Sequence, residues 1–134
     1  MPISPLNDWN VSYSMIAFFE RALKGHSRVE RFTRTRDIFF DIELTNGIVL
    51  KVLLVDEYTL GLAALHRAQS EFPEMEFIVT GANWNGYTQE AKEYGKLQSI
   101  GVFNVEEFFG ALHWSEPKKY YQKDSRGRPV YAYK

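Results

Sequence analysis

Five carboxylates lie between Arg36 and Tyr58, and four of them, Asp37, Asp41, Asp56 and Glu57, are the candidates for chemistry. Acids gathered at one end of a strand pair can hold a divalent cation, which activates water and neutralises charge on a phosphate. They also have a simpler use, since carboxylates at strand ends keep the ends of a sheet solvated. Glu20, on an upstream helical stretch, is available to join them. Other chemistries lack their residues. His26, His66 and His113 are far apart in sequence and none has metal-ligand spacing to another, while no nucleophile elbow, phosphate loop or zinc pattern occurs.

A hairpin must position those acids. Phe40, Ile42 and Leu44 alternate with Phe39, Asp41 and Glu43, the period of a strand over residues 38–44. Asn46-Gly47 reads as a two-residue turn, because both positions accept positive φ. Residues 48–55 are almost wholly apolar, as a central strand covered on both faces would be. Such a turn pairs Thr45 with Ile48, and counting outward sets Val52 opposite Asp41 and Asp56 opposite Asp37.

Around the hairpin the pattern gives an α/β order. Asn10 is expected to cap a helix that carries Val11, Met15, Phe18, Phe19 and Ala22 at helical spacing and stops at Gly25. A short strand is expected over 28–34. Beyond the hairpin, Thr59 is the candidate cap of a helix with Leu60, Ala64, Ala68 and Phe72 in a stripe ending at Pro73. A strand over 75–80, a loop over 81–86, a helix over 88–98 and a strand over 100–103 follow. Asn104 with Glu107 forms a capping box for a last helix through Leu112. Helical crossovers between the later strands imply parallel neighbours, so the sheet is expected to be mixed. From Ser115 the chain becomes basic and tyrosine-rich, with a terminal hairpin expected around 125–127. The expected division is a domain over 1–114 and an extension over 115–134 packed on or beside it.

A chain of 134 residues with 45% hydrophobic and 16% aromatic content supplies one core. No apolar run nears the roughly 20 residues of a membrane span. Residues 1–9 lack the basic start and apolar middle of a signal peptide, and there is no cysteine. A cytoplasmic location is the expectation. The formal net charge of −1 conceals a segregation: residues 37–116 carry 13 acids and four bases, the remainder 12 bases and four acids. Arg28, Arg31, Arg34 and Arg36, with Lys118 and Lys119 in the tail, are the candidate phosphate contacts. In the GANWNGY loop, Trp84 and Tyr87 are candidates to stack on a base, and Asn83 and Asn85 to hydrogen bond to it.

The segments DIFFDIEL, TNG and IVLKVLLVDEY, followed by FIVTGANWNGYTQEAKEYGKLQSIGVFNVEEFFGAL, resemble the PD-(D/E)XK nucleases, the restriction-endonuclease-like family, and among them Mrr-like members. The resemblance covers about residues 10–112. It implies a restriction-endonuclease-like α/β core with a mixed central sheet flanked by helices. It also implies a metal site in which Asp41, or its rival Asp37, acts with an acid and a lysine on the next strand. Neither alignment supplies the lysine. With Asp41 the two slots fall on Leu54 and Asp56; with Asp37 they fall on Asp56 and Tyr58 or, after a bulge, on Glu57 and Thr59. The implied function is a catalytically degenerate nuclease-fold protein that binds nucleic acid or assists a nucleic-acid-processing complex. One alternative is a nuclease with a shifted site, using Asp37, Asp41, Asp56 and Glu57 catalytically and holding Mg through Asp37, Asp41 and Asp56. The other is a protein-interaction module or homo-oligomer built on the tail or the Trp84 loop. No other cofactor and no membrane partner are expected.

Overall fold

The computed structural model describes residues 7–134; residues 1–6, the start of the expected 1–114 domain, lie outside the described residues. In chain order the elements are α1 (Tyr13–Lys24), β1 (Val29–Arg36), β2 (Phe39–Leu44), β3 (Val49–Val55), β4 (Thr59–Leu60), α2 (Leu62–Glu71), β5 (Phe77–Thr80), β6 (Gly86–Tyr87), α3 (Gln89–Leu97), β7 (Gly101–Asn104) and α4 (Val105–Ala111). A 3-10 turn (Pro117–Lys119) then leads to a small hairpin of β8 (Gln122–Lys123) and β9 (Pro129–Val130). Five strands make the central sheet, in the order β1-β2-β3-β5-β7. Its first three strands are antiparallel neighbours, and β5 and β7 run parallel to β3. The chain is thus α/β with a mixed sheet flanked by helices.

Burial follows from coverage. The apolar runs of β3 and β5 are enclosed because helices lie on both faces. On one face Phe19 of α1 meets the rings of Phe40, Phe108 and Phe109 at 5.0, 5.9 and 5.5 Å. On the other, Phe72 at the end of α2 stacks on Phe39 at 5.5 Å, and the Tyr94 hydroxyl of α3 donates to Gln69 of α2 at 2.8 Å. Each enclosed phenylalanine contributes about 2–3 kcal/mol of burial.

The hairpin turns differently from the two-residue reading. Its loop has three residues, Thr45-Asn46-Gly47, with Leu44 N–H donating to Ile48 O at 2.8 Å. Only Gly47 takes positive φ, at 88°, and the Asn46 side chain instead accepts Ile48 N–H at 3.0 Å. Asn-Gly serves this turn as well as the two-residue one. The register therefore moves by one: Asp41 lies opposite Lys51, and Val52 opposite Phe40.

Two helix starts are also later than expected. Asn7 Oδ1 accepts the N–H groups of Trp9 and Val11 at 3.0 Å, which holds this stretch as a loop with Asn10 at φ 56°. Ser12 is the cap of α1, accepting Met15 N–H, and the buried stripe is Ile16, Phe19 and Leu23. Thr59 does not cap α2 because it belongs to β4, which pairs with β6. The capping box at Asn104 with Glu107 forms as expected, and Thr88, expected inside its helix, is the cap of α3.

The C-terminal extension packs on the domain. Tyr120 meets Trp114 at 5.1 Å and Phe103 at 6.3 Å. The last residues run beside β6, with Tyr87 N–H donating to Ala132 O at 3.0 Å and Lys134 N–H to Tyr87 O at 2.9 Å. A Cβ on Gly86 would overlap the Ala132 carbonyl oxygen, so glycine is what lets this segment close. Among the described residues, no helix is long and apolar enough to cross a membrane.

Candidate functional site

The shifted register separates the candidate acids. Asp41 forms an ion pair with Lys51 at 3.1 Å within β2–β3. Asp37 sits in the β1–β2 turn at φ 48°, 3.6 Å from Arg34, and Arg34 also binds Glu20 at 3.1 Å. Asp56 shares this end of the sheet, just past β3, and accepts from Asn85 Nδ2 at 3.0 Å. Beside it, burial and then the charge of Asp56 raise the Glu57 carboxyl above its ordinary pKa. Among the described residues, no three His, Asp or Glu side chains gather to hold a metal ion. The expected Mg site of Asp37, Asp41 and Asp56 is not assembled, because the cross-strand neighbour of Asp41 is a lysine that already neutralises it. Leu54, in the acid slot that Asp41 would use, is wholly buried and has no ligand atom.

At the carboxyl ends of β3, β5 and β7 the polar side chains bond to one another. The Thr80 hydroxyl donates to Glu57 O at 2.6 Å and accepts Glu57 N–H at 3.0 Å. Asn85 Nδ2 lies within hydrogen-bond reach of Thr80 Oγ1 and of the Gly81 carbonyl, and Asn104 Nδ2 donates to Asn85 O at 3.3 Å. The Tyr87 hydroxyl donates to Glu107 Oε2 at 2.7 Å, while Glu107 Oε1 accepts Asn104 N–H at 3.0 Å. Burial, then the charge of Glu107, pushes the Tyr87 phenol upward. Nearby Lys92 donates to Val102 O at 2.6 Å with its ammonium 4.1 Å from the centre of the Phe103 ring. Burial brings its pKa down to about 8, with Glu107 opposing. This network occupies the end of the sheet where α/β proteins commonly leave a ligand crevice. It turns Asn85 and Tyr87 inward, correcting their expected role in recognition, and of that loop's candidates Asn83 and Trp84 stay outside, Trp84 at 70% exposure.

The basic residues divide in two. On β1, Arg31 pairs with Glu43 at 2.6 Å, Arg34 with Glu20, and Arg36 with Glu74 at 3.3 Å. Exposed pairs of this kind are individually weak. Their acids nevertheless stay beside the strand and repel a phosphate backbone. Arg28, Lys96 and Lys118, like Arg21, Lys24, Lys92, Lys123, Arg126 and Lys134, form no ion pair among the described residues, whereas Lys119 is held by Glu116 at 3.0 Å. What sets the three apart is that they line depressions in the surface.

Those three free cations border one groove at the amino ends of β3, β5 and β7. A depression of about 720 Å³ lies between these strand ends and the tail; Ile48, Val49, Phe77, Tyr121 and Tyr131 line it, with Lys96 and Lys118. A second, of about 220 Å³, lies between the β2–β3 turn and the end of α4, with Arg28, His113 and Trp114 on its walls. Ile48 and Pro117 line both, so the two adjoin. Ile48 and Val49 are 48% and 44% exposed, which gives the groove an apolar floor. Glu76 and Glu116 also line it, with Glu76 Oε1 engaged by Lys51 N–H at 3.0 Å and Glu116 paired with Lys119 at 3.0 Å. Lys96 Nζ stands 5.3 Å from the centre of the Tyr131 ring and Lys118 Nζ 6.0 Å from that of Phe77.

Two histidines far apart in sequence meet at one wall. The His26 and His113 rings are 4.7 Å apart. His26 Nδ1 accepts Arg28 N–H at 3.1 Å, and its Nε2 faces Phe109 O at 3.0 Å. Burial foremost lowers the His26 pKa, so the neutral ring with Nε2–H donating fits both contacts. Spacing in sequence carried no sign of this pair. Comparison with protein families, with curated proteins and with solved structures finds no match to this chain.

Proposed function

We propose that this chain is a restriction-endonuclease-like protein that does not cleave and that binds nucleic acid along the groove at the amino ends of β3, β5 and β7. The sorting of cations carries this reading. Arginines on β1 stand among carboxylates, while Arg28, Lys96 and Lys118 are unpaired beside half-buried aromatic rings and the exposed Ile48 and Val49. Unpaired cations are what a phosphate backbone recruits, and aromatic faces are what bases stack on.

The family assignment is supported by the sheet order, in which an antiparallel β1-β2-β3 run continues into parallel β5 and β7 across helices. Residue types argue against cleavage. In the alignment that uses Asp41, the acid slot is Leu54 and the lysine slot is Asp56, and Asp41 itself is paired with Lys51. Binding of a short labelled DNA or RNA in low salt, followed by incubation with Mg, tests both parts. Binding without strand scission is the expected result. No detectable binding would remove the first part, and Mg-dependent cleavage abolished by Asp56→Ala would remove the second.

A further inference from the structure

We infer that the larger depression takes one unpaired nucleotide, so that the ligand of the groove is a single strand; this rests on the nucleic-acid reading above. A volume of about 720 Å³ is in the range of small-molecule sites, whereas a duplex keeps its base faces stacked inside and presents only backbone and base edges. The walls suit a nucleotide in both its parts. Tyr121 and Tyr131 are half-buried, with ring centres 6.5 Å apart, and stand over the apolar floor of Ile48 and Val49. Such surfaces accept the face of any base and impose little sequence preference. Lys96 and Lys118 then supply charge for the attached phosphate, with no carboxylate holding either of them. Trp114, 5.4 Å from Tyr121, continues the aromatic surface toward Arg28, which places the next phosphate contact along the same groove.

The partition between stacking and charge makes the inference testable on the full chain. Affinities for a ten-nucleotide single strand and for the duplex of the same sequence are measured across salt, with wild type, Tyr121→Ala, Tyr121→Phe and Lys118→Gln. The single strand is expected to bind more tightly. Tyr121→Ala should weaken it by about tenfold, the effect of one lost stacking contact, with the salt slope unchanged, and Tyr121→Phe should retain it. Lys118→Gln should lower the salt slope by about 0.7. Irradiation of a strand carrying 4-thiouridine supplies a readout independent of folding in the variants: crosslinks are expected in the peptide holding Tyr121 or Tyr131. Equal binding of duplex and single strand, or crosslinks confined to the Trp84 loop, would overturn the single-nucleotide site and leave nucleic-acid binding standing. No binding of either form would remove both.

Discussion

Lys92 departs far from the ordinary behaviour of its residue type. Its ammonium has one carbonyl partner, Val102 O, and aromatic neighbours, and burial lowers its pKa from 10.5 to about 8. Between those values the unfolded chain holds a proton that the folded chain has released, so this residue makes stability rise with pH. Thermal melts should therefore show wild type gaining on Lys92→Met between about pH 8 and pH 9.5; parallel curves would contradict the assigned environment. Little of this was legible from sequence, where Lys92 is one polar residue on a helix. The capping box at Asn104 and Glu107 was legible because its partners are three residues apart. Its coupling to Tyr87, 20 residues away, depends on tertiary placement. The same holds for the arginines of β1, whose carboxylate partners come from α1, β2 and the segment after α2.

At the scale of elements, the order of helices and strands could be read because each long element carries its own apolar period. The hairpin register could not, and one residue of slip decides whether Asp41 faces Val52 or Lys51. Asn-Gly fits either loop; the cross-strand fit of Leu44 with Ile48 settles which one forms. The two loops make different demands on substitution. A two-residue turn needs positive φ at both positions, so Asn46→Ala and Gly47→Ala would be similarly costly. In the observed loop only Gly47 has positive φ, and Gly47→Ala should cost about 1 kcal/mol or more. Asn46→Ala should cost about half that or less, for one exposed side-chain bond. Urea denaturation of the two variants checks the ordering, and equal losses would restore the two-residue register.

For the whole molecule, charge segregation along the chain was visible in the sequence, but its spatial outcome was not. The basic stretch at 28–36 divides on folding: Arg28 reaches the groove while Arg31, Arg34 and Arg36 are matched by acids. The tail, basic and tyrosine-rich in sequence, closes over β6 and β7, and its tyrosines become groove wall as well as core cover. The acidic end of the sheet fills with its own hydrogen bonds, leaving the opposite end as the open one. The groove cations and the β1 arginines therefore differ in their capacity to meet a phosphate backbone. The most direct test of this difference is the slope of log Kobs against log salt for a short single strand, compared between wild type, the groove variant R28Q/K96Q/K118Q and the β1 variant R31Q/R34Q/R36Q. The groove variant should lose up to about three-quarters of a unit of slope per cation removed, as single strands do, and the β1 variant should stay near wild type. A slope that falls in the β1 variant and holds in the groove variant would contradict the account.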